Sequence, residues 1–338
     1  MQRVDVHSHV FPDAIFGRLP DGLTAERFPE GDQVGIRATG GPSAGRGAPA
    51  TIRDLAQYRR AQEAHGIDTV IVSAWNKLTA VAEDATTEAK LSRVVNEELT
   101  AVTAGWSRMY YLATLPMADG ARAAEELSRA VEEGAVGGLV TVGPHLGLLD
   151  RADLDHLWRC AEQLRTPLLV HPSYFINPAR LRGAALSNGV GYPFETTLAA
   201  ASVISAGIVD RFPELVMILA HGGGFLPYQY GRLMAGLTRH GGHQLSRTGL
   251  DYLRWFYYDT ALFEGPAVRY LLDLVEPTRV LVGTDCPLTM NDVSVVDDPT
   301  LLGLDAEQTA LVLGGNARRL FRLPDDPAHY PSRARTTP

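Results

Sequence analysis

The sequence predicts an α/β protein, a (β/α)8 barrel (TIM barrel) with a lid insertion after its first strand. Three observations predict it. Short apolar, strand-like runs recur along the 338 residues, and amphipathic segments lie between most of them. Five histidine or aspartate residues close or just follow four of those runs. Strands alternating with helices imply parallel βαβ units. Eight such units fit the usual ~250 residues of this barrel with length to spare. A doubly wound sheet is the alternative. It usually places a phosphate site on a glycine-rich first turn, whereas the first turn here reads His7-Ser8-His9-Val10-Phe11-Pro12.

The strand-like runs fall at about 3–6, 68–73, 109–115, 136–142, 166–171, 215–221, 255–260 and 279–284. The first, Val4-Asp5-Val6, opens the chain and leaves no room for a signal peptide. Residues 11–50, rich in Gly and Pro, then separate it from the first clear helix. They read as an insertion covering the barrel mouth, because long loops in compact domains are usually functional or disordered. Ile52 to His65 has helical spacing and stops at Gly66. Glu83 to Ala104 follows strand two with apolar Leu91, Val94, Val95, Leu99 and Val102. Ala121 to Glu133 and Leu154 to Leu164 repeat that pattern after strands three and four. Glu195-Thr196-Thr197 opens a helical stretch through Ile204 to Val209, and Pro266 to Val275 supplies a later helix. Residues 1–322 therefore read as one domain, and 323–338, ending Pro331-Ser332-Arg333-Ala334-Arg335, as a flexible tail.

Composition narrows the function classes. A hydrophobic share of 45% supports a sizeable core, and a net charge of -8 argues against nucleic acid or an anionic membrane as partner. Cys160 and Cys286 are the only cysteines, so there is no disulfide framework and a reducing, cytoplasmic setting fits. No apolar run is long enough for a membrane span. Lys77 and Lys90 are the only lysines among 31 basic residues.

Side chains two apart on a strand point the same way, so His7 and His9 can close on one metal ion. Pro167 to Val170 leads into His171, Val216 to Ala220 into His221, and Val280 to Thr284 into Asp285. In this barrel, catalytic groups come from the C-terminal ends of several strands. Imidazole and carboxylate together suit zinc or a similar divalent ion, with manganese also accepted. An open position on that ion holds water whose pKa falls to about 7. Taken singly, each has a plainer reading: His171 as a core histidine, His221 as a partner of a ligand, Asp285 as a turn cap. His145, after strand four, faces the same rim as a candidate substrate contact. Trp75, Asn76 and Lys77 follow strand two and either line the pocket or start a helix. Cys286 reads as a small residue packed beside Asp285. His65 reads as structural, and His240, His243 and His329 as solvated.

Several stretches together resemble the aminocarboxymuconate-semialdehyde decarboxylase family of the amidohydrolase superfamily. They are Val4-Asp5-Val6-His7-Ser8-His9, Leu112-Ala113-Thr114-Leu115-Pro116-Met117 and Val170-His171-Pro172. Glu195-Thr196-Thr197, Arg211-Phe212-Pro213-Glu214-Leu215, Ala220-His221-Gly222-Gly223-Gly224 and Gly283-Thr284-Asp285-Cys286-Pro287 continue in the family's order. The resemblance implies one metal held by His7, His9, His171 and Asp285, with His221 as acid/base beside the metal-bound water. Asp285 then counts as a catalytic residue as well as a ligand. It also implies a homodimer in which Arg232 reaches the neighbour's site. A lid arginine binds substrate carboxylate in the family; Arg37 is the closest match, with Arg46 as rival. No organic cofactor is required if the substrate carries its own conjugated electron sink.

Two departures bear on chemistry and substrate. Strand four ends Val140-Thr141-Val142-Gly143 with no lysine, which argues against the lysine-bridged two-metal arrangement of many hydrolases. Cys286 and Leu288 stand where the decarboxylases usually carry aromatic residues, and Ser173-Tyr174-Phe175 differs from their tryptophan-bearing version, so the pocket is reshaped and the namesake substrate is not implied. The expected function is a metal-dependent, non-oxidative decarboxylase of a small unsaturated, aromatic or heteroaromatic acid. A one-metal hydrolase or hydratase is the alternative, since the same water could attack an amide, a lactone or a vinylogous acid. A non-catalytic barrel is disfavoured, because scaffolding needs no open coordination position.

Overall fold

The computed structural model describes residues 2–28, 33–40, 47–78, 84–240 and 246–324. Its strands in chain order are β1 (Val4–Val10), β2 (Leu23–Arg27), β3 (Val34–Ala38), β4 (Thr69–Ala74) and β5 (Met109–Thr114). They continue as β6 (Gly137–Val142), β7 (Leu168–Pro172), β8 (Met217–Leu219), β9 (Tyr257–Asp259) and β10 (Val280–Leu281). All but β2 and β3 form one eight-stranded sheet in the order β1-β4-β5-β6-β7-β8-β9-β10, each neighbour parallel. The sheet closes where β10 and the turn after it meet β1. Val6 N–H donates to the Val282 carbonyl (2.9 Å), Asp285 N–H to His7 (2.7 Å) and His9 N–H to Cys286 (2.8 Å). This is the (β/α)8 barrel that the alternation predicts.

Side chains alternate across each strand, so each strand feeds two apolar layers. Val4, Val6, Ile71, Leu139, Leu169 and Ile218 form a cluster inside the barrel. Val70, Val72, Val140, Val170, Met217 and Leu219 face outward into the larger core with Leu127 and Trp158 of the surrounding helices. Three of those helices start at an aspartate. Asp54, Asp84 and Asp119 accept backbone N–H groups at the starts of Leu55–Ala64, Ala85–Ala104 and Gly120–Glu132. Such caps contribute about 1 kcal/mol each, and the first two end connections that carry cavity-lining residues, Pro49 before Asp54 and Trp75 to Lys77 before Asp84.

β1 extends past the expected 3–6 to Val10 and contains a bulge. Its register against β4 slips between Asp5 and Ser8: three steps along β1 match two from Val70 to Val72. An extra residue reverses the side-chain alternation. Val4 and Val6 face the interior, and beyond the bulge His7 and His9 do too, packing against His171 of β7.

The 11–50 insertion holds more order than a loop. It contains a short 3-10 turn at Asp13–Gly17 and an antiparallel β2–β3 hairpin, with Ala48 bridging back to Val34. Helices Leu226–His240 and Gly249–Trp255, between β8 and β9, are likewise additions to the expected elements. Among the described residues, no helix is long and apolar enough to cross a membrane.

Candidate metal centre

His7, His9, His171 and Asp285 each offer one ligand atom, and those atoms all lie within 4.8 Å of one another. The convergence comes from the barrel. Bulged β1 presents two imidazoles, β7 presents the third, and the turn after β10 brings Asp285 across the closure seam. The imidazole Nε2 atoms of His7, His9 and His171 and Oδ1 of Asp285 are all buried without a hydrogen-bond partner. His9 Nε2 approaches Asp285 Oδ1 to 3.1 Å, yet neither forms a hydrogen bond there. Buried polar atoms are normally paired. Four unpaired ones aimed at a common point fit a divalent cation, and the nitrogen-plus-carboxylate set fits its chemistry.

The far side of each ring on β1 is anchored. His7 Nδ1 donates to Asp259 Oδ2 at 2.6 Å. Ser73 Oγ donates to the Ser8 carbonyl and so can accept from His9 Nδ1 at 2.9 Å. Protons on both Nδ1 atoms leave the Nε2 lone pairs directed at the cluster. Asn76 sits behind His171, donating to the Pro172 carbonyl at 2.6 Å. Gly283 keeps the floor open, because a Cβ there would meet the Asp259 and His7 Cβ atoms at 2.7 and 2.8 Å.

Charge matches geometry. Burial pulls His7 down, but Asp259, Asp285 and Asp5 lift it to about 9, so the surrounding carboxylates favour a positive charge at this point. Burial pushes Asp285 up, but His9 and His7 hold its carboxyl below the ordinary range, so it is ionised as a ligand must be. Burial, reinforced by His7, lowers His221 to about 4 and keeps it neutral near pH 7.

His221 and Asp285 share a rare backbone. Their φ values are 56° and 59°, the left-handed region that non-glycine residues seldom occupy. Such strain costs about 1–3 kcal/mol per residue and gathers at functional sites. Here it turns the chain back over the barrel mouth soon after a short strand, two residues past β8 at His221 and four past β10 at Asp285. Asp259 Oδ1 supports that turn by accepting from Gly222 N–H at 2.8 Å. Gly224 (φ +63°) completes it, because a Cβ there would lie 2.1 Å from the Pro193 carbonyl oxygen.

A cavity of about 290 Å³ opens over the cluster, walled by His171, His221, Asp285, Trp75, Asn76 and Lys77. Gln33, Gly47 and Pro49 of the 11–50 insertion reach its rim. The other candidates stand elsewhere. His145 lies outside the lining, edge-on to Tyr174 with ring centroids 5.4 Å apart. Arg37 sits in β3 opposite Thr24, away from the cavity wall. Arg232 is exposed on its helix, and Arg46 lies outside the described residues. Burial pushes the Cys286 thiol up to about 12, which suits the packing role expected of it. Asp259 is the functional residue missing from the sequence expectations. Its signal was available, since it closes the run 255–260 as His171 and Asp285 close theirs.

A family model described as Amidohydrolase matches residues 4–323, nearly the whole barrel. The chain belongs to the amidohydrolase family. Among curated members, it is 26% identical to the 2-amino-3-carboxymuconate-6-semialdehyde decarboxylase of Dictyostelium discoideum, over 71% of this chain and 68% of that one. It is also 26% identical to the 6-methylsalicylic acid decarboxylase of Penicillium expansum, over 86% and 87%. Among solved amidohydrolase-like barrels, the dihydroxybenzoic acid decarboxylase of Polaromonas superposes with a TM-score of 0.76 at 23% identity, covering 97% of this chain and 99% of that one. That protein was solved with bound manganese and the inhibitor 2-nitroresorcinol. At this identity the superposition establishes the shared fold.

Proposed function

We propose that this amidohydrolase is a metal-dependent, non-oxidative decarboxylase of a small unsaturated, aromatic or heteroaromatic carboxylic acid. The observation that carries the proposal is the set of four buried, unpaired donor atoms that converge beside one cavity, two of them on the lining residues His171 and Asp285. The decarboxylase relatives support it. His7, His9, His171 and Asp285 would hold one divalent ion, zinc or manganese, both of which accept this donor set. When bound, such an ion polarises a substrate oxygen and so eases electron flow out of the breaking C–C bond.

The chain's own groups do the rest. Trp75, Phe263 and Leu288 give the cavity apolar walls that suit a flat, conjugated acid. Loss of carbon dioxide leaves an electron pair on carbon, which needs a proton. His221, neutral and on the cavity wall, takes a proton from the substrate's acidic group or from water and delivers it to that carbon. Asp259 keeps His7 and the His221 turn in place.

Homodimerisation, with Arg232 reaching the neighbour's cavity, and a cytoplasmic setting for the free thiols Cys160 and Cys286 complete the reading. A monomer in sedimentation would remove that role for Arg232. Oxidised cysteines in protein isolated with thiols trapped would remove the setting.

The test is carbon dioxide release from a panel of hydroxybenzoic and unsaturated acids, by wild type and His221→Asn. Wild type should release carbon dioxide. His221→Asn should retain the metal and lose about 10²–10⁴ in turnover. Hydrolysis or hydration without carbon dioxide would place the chain among the family's hydrolases and hydratases. An unchanged rate in the variant would remove His221 from the chemistry.

A further inference from the structure

Phe263 is a large aromatic residue held in a backbone conformation that large residues avoid. Its φ is 65°, in the left-handed region. It lines the cavity over the metal cluster and is 44% exposed. We propose that Phe263 is a specificity residue whose ring receives an apolar substituent of the bound acid, so that the site selects acids carrying such a group over unsubstituted ones. The inference rests on the decarboxylase reading only for the bound molecule being a small acid with its carboxylate at the metal cluster.

The strained turn is fixed from both sides. Leu262 N–H donates to the Thr260 carbonyl (2.7 Å) and Glu264 N–H to the Leu262 carbonyl (2.8 Å), two three-residue turns in succession. The second is centred on Phe263, and a three-residue turn around a positive φ is the rare, strained form. Phe263 N–H itself donates to Asp292 Oδ2 at 2.6 Å, a charge-assisted bond. Asp292 is buried, its other oxygen accepts from Ser294 N–H (3.0 Å), and its own N–H donates to the Thr284 carbonyl (2.7 Å). One carboxylate therefore ties Phe263 to the barrel seam next to Asp285. Strain of this kind persists only where the surroundings over-determine it, and it gathers at ligand clamps. Packing does not account for it here, because so exposed a ring gives the fold little burial.

The cavity wall defines what the ring would meet. Ala261 and Phe263 line it from the connection after β9, and Leu288 and Met290 from the connection after β10. Met290, like Phe263, is a large apolar residue left exposed at 39%. His171, His221, Asp285 and Asn76 supply polar wall to the same cavity. Such a site takes an amphipathic ligand, its charged end at the metal cluster and its apolar end against Phe263, Leu288 and Met290. An unsubstituted acid leaves that apolar wall in water, whereas an apolar substituent removes it from water.

The experiment is calorimetric titration of the metal-loaded protein with benzoate and with each of the three ethylbenzoates. Wild type is compared with Phe263→Gly, Phe263→Asn and Phe263→Tyr. Glycine and asparagine both suit a positive φ, so the first two variants remove the ring without straining the turn. Wild type should bind its best ethylbenzoate about tenfold more tightly than benzoate, the effect of burying two further carbons. Phe263→Gly and Phe263→Asn should lose that preference while keeping metal content and benzoate affinity, and Phe263→Tyr, which retains the ring, should keep it. A preference that survives in both ring-free variants, or no preference in wild type, would overturn the proposal. Loss of metal or of benzoate affinity together with the preference would assign the ring to the fold and overturn it equally. Failure of the decarboxylase reading is separable from this. A Phe263-dependent preference in a protein that releases no carbon dioxide from any acid supports the substituent site and overturns only the reaction.

Discussion

Asp259 reaches two parts of the site with its two oxygens. One accepts from His7 Nδ1, and the other accepts the Gly222 amide behind the strained His221 turn. Asp259→Asn should therefore weaken metal binding by about 10–100-fold, the usual effect of removing a ligand's anchoring partner. Competition with a chelator of known affinity measures this; unchanged affinity would show that the His7 tautomer needs no carboxylate. The proposed ligands were legible because each is a polar residue closing or just following an apolar run, where a strand end must leave the core. Asp259 bears the same mark, lying near the end of the strand-like run 255–260, and was equally legible there. The arginines pose a different problem. Where a loop or an outer helix places a long side chain depends on packing that no local pattern encodes.

At the scale of elements, the eight strand runs and most helices followed from apolar periodicity. The β1 bulge did not, because an extra residue reverses facing without altering composition. Helix Leu226–His240 was also missed, although Tyr230, Leu233, Met234 and Leu237 recur at helical spacing and pack, partly buried, against the core. One buried acid ties a helix to a strand end. Glu88, in Ala85–Ala104, accepts from Met117 and Ala118 N–H groups (3.1 and 2.9 Å), and burial raises its carboxyl from 4.5 to about 7. The folded protein thus binds this proton more tightly than the unfolded chain. The resulting stabilisation is fully present below pH 4.5 and is lost as pH rises through about 7. It amounts to at most roughly 3 kcal/mol. Urea midpoints at pH 5 and pH 7.5 should fall more for wild type than for Glu88→Gln. Equal falls would mean that Glu88 titrates normally.

The whole molecule is organised around the seam where the barrel closes. Asp5, buried beneath the site, accepts from His7 N–H, from Thr284 N–H and Oγ1, and from Gln62 Nε2. These bonds join β1 to the turn after β10, and that join sets Asp285 against His7 and His9. Burial raises the Asp5 carboxyl to about 6 despite those bonds, so closing the barrel carries an electrostatic cost. A bound cation above the seam would offset part of it, which links metal occupancy to the integrity of the fold. The most direct test is metal content per chain, measured on wild type and Asp285→Ala after loading with zinc or manganese and dialysis. The account predicts about one ion per wild-type chain and little in the variant. Full occupancy of Asp285→Ala, or none in wild type, would contradict it.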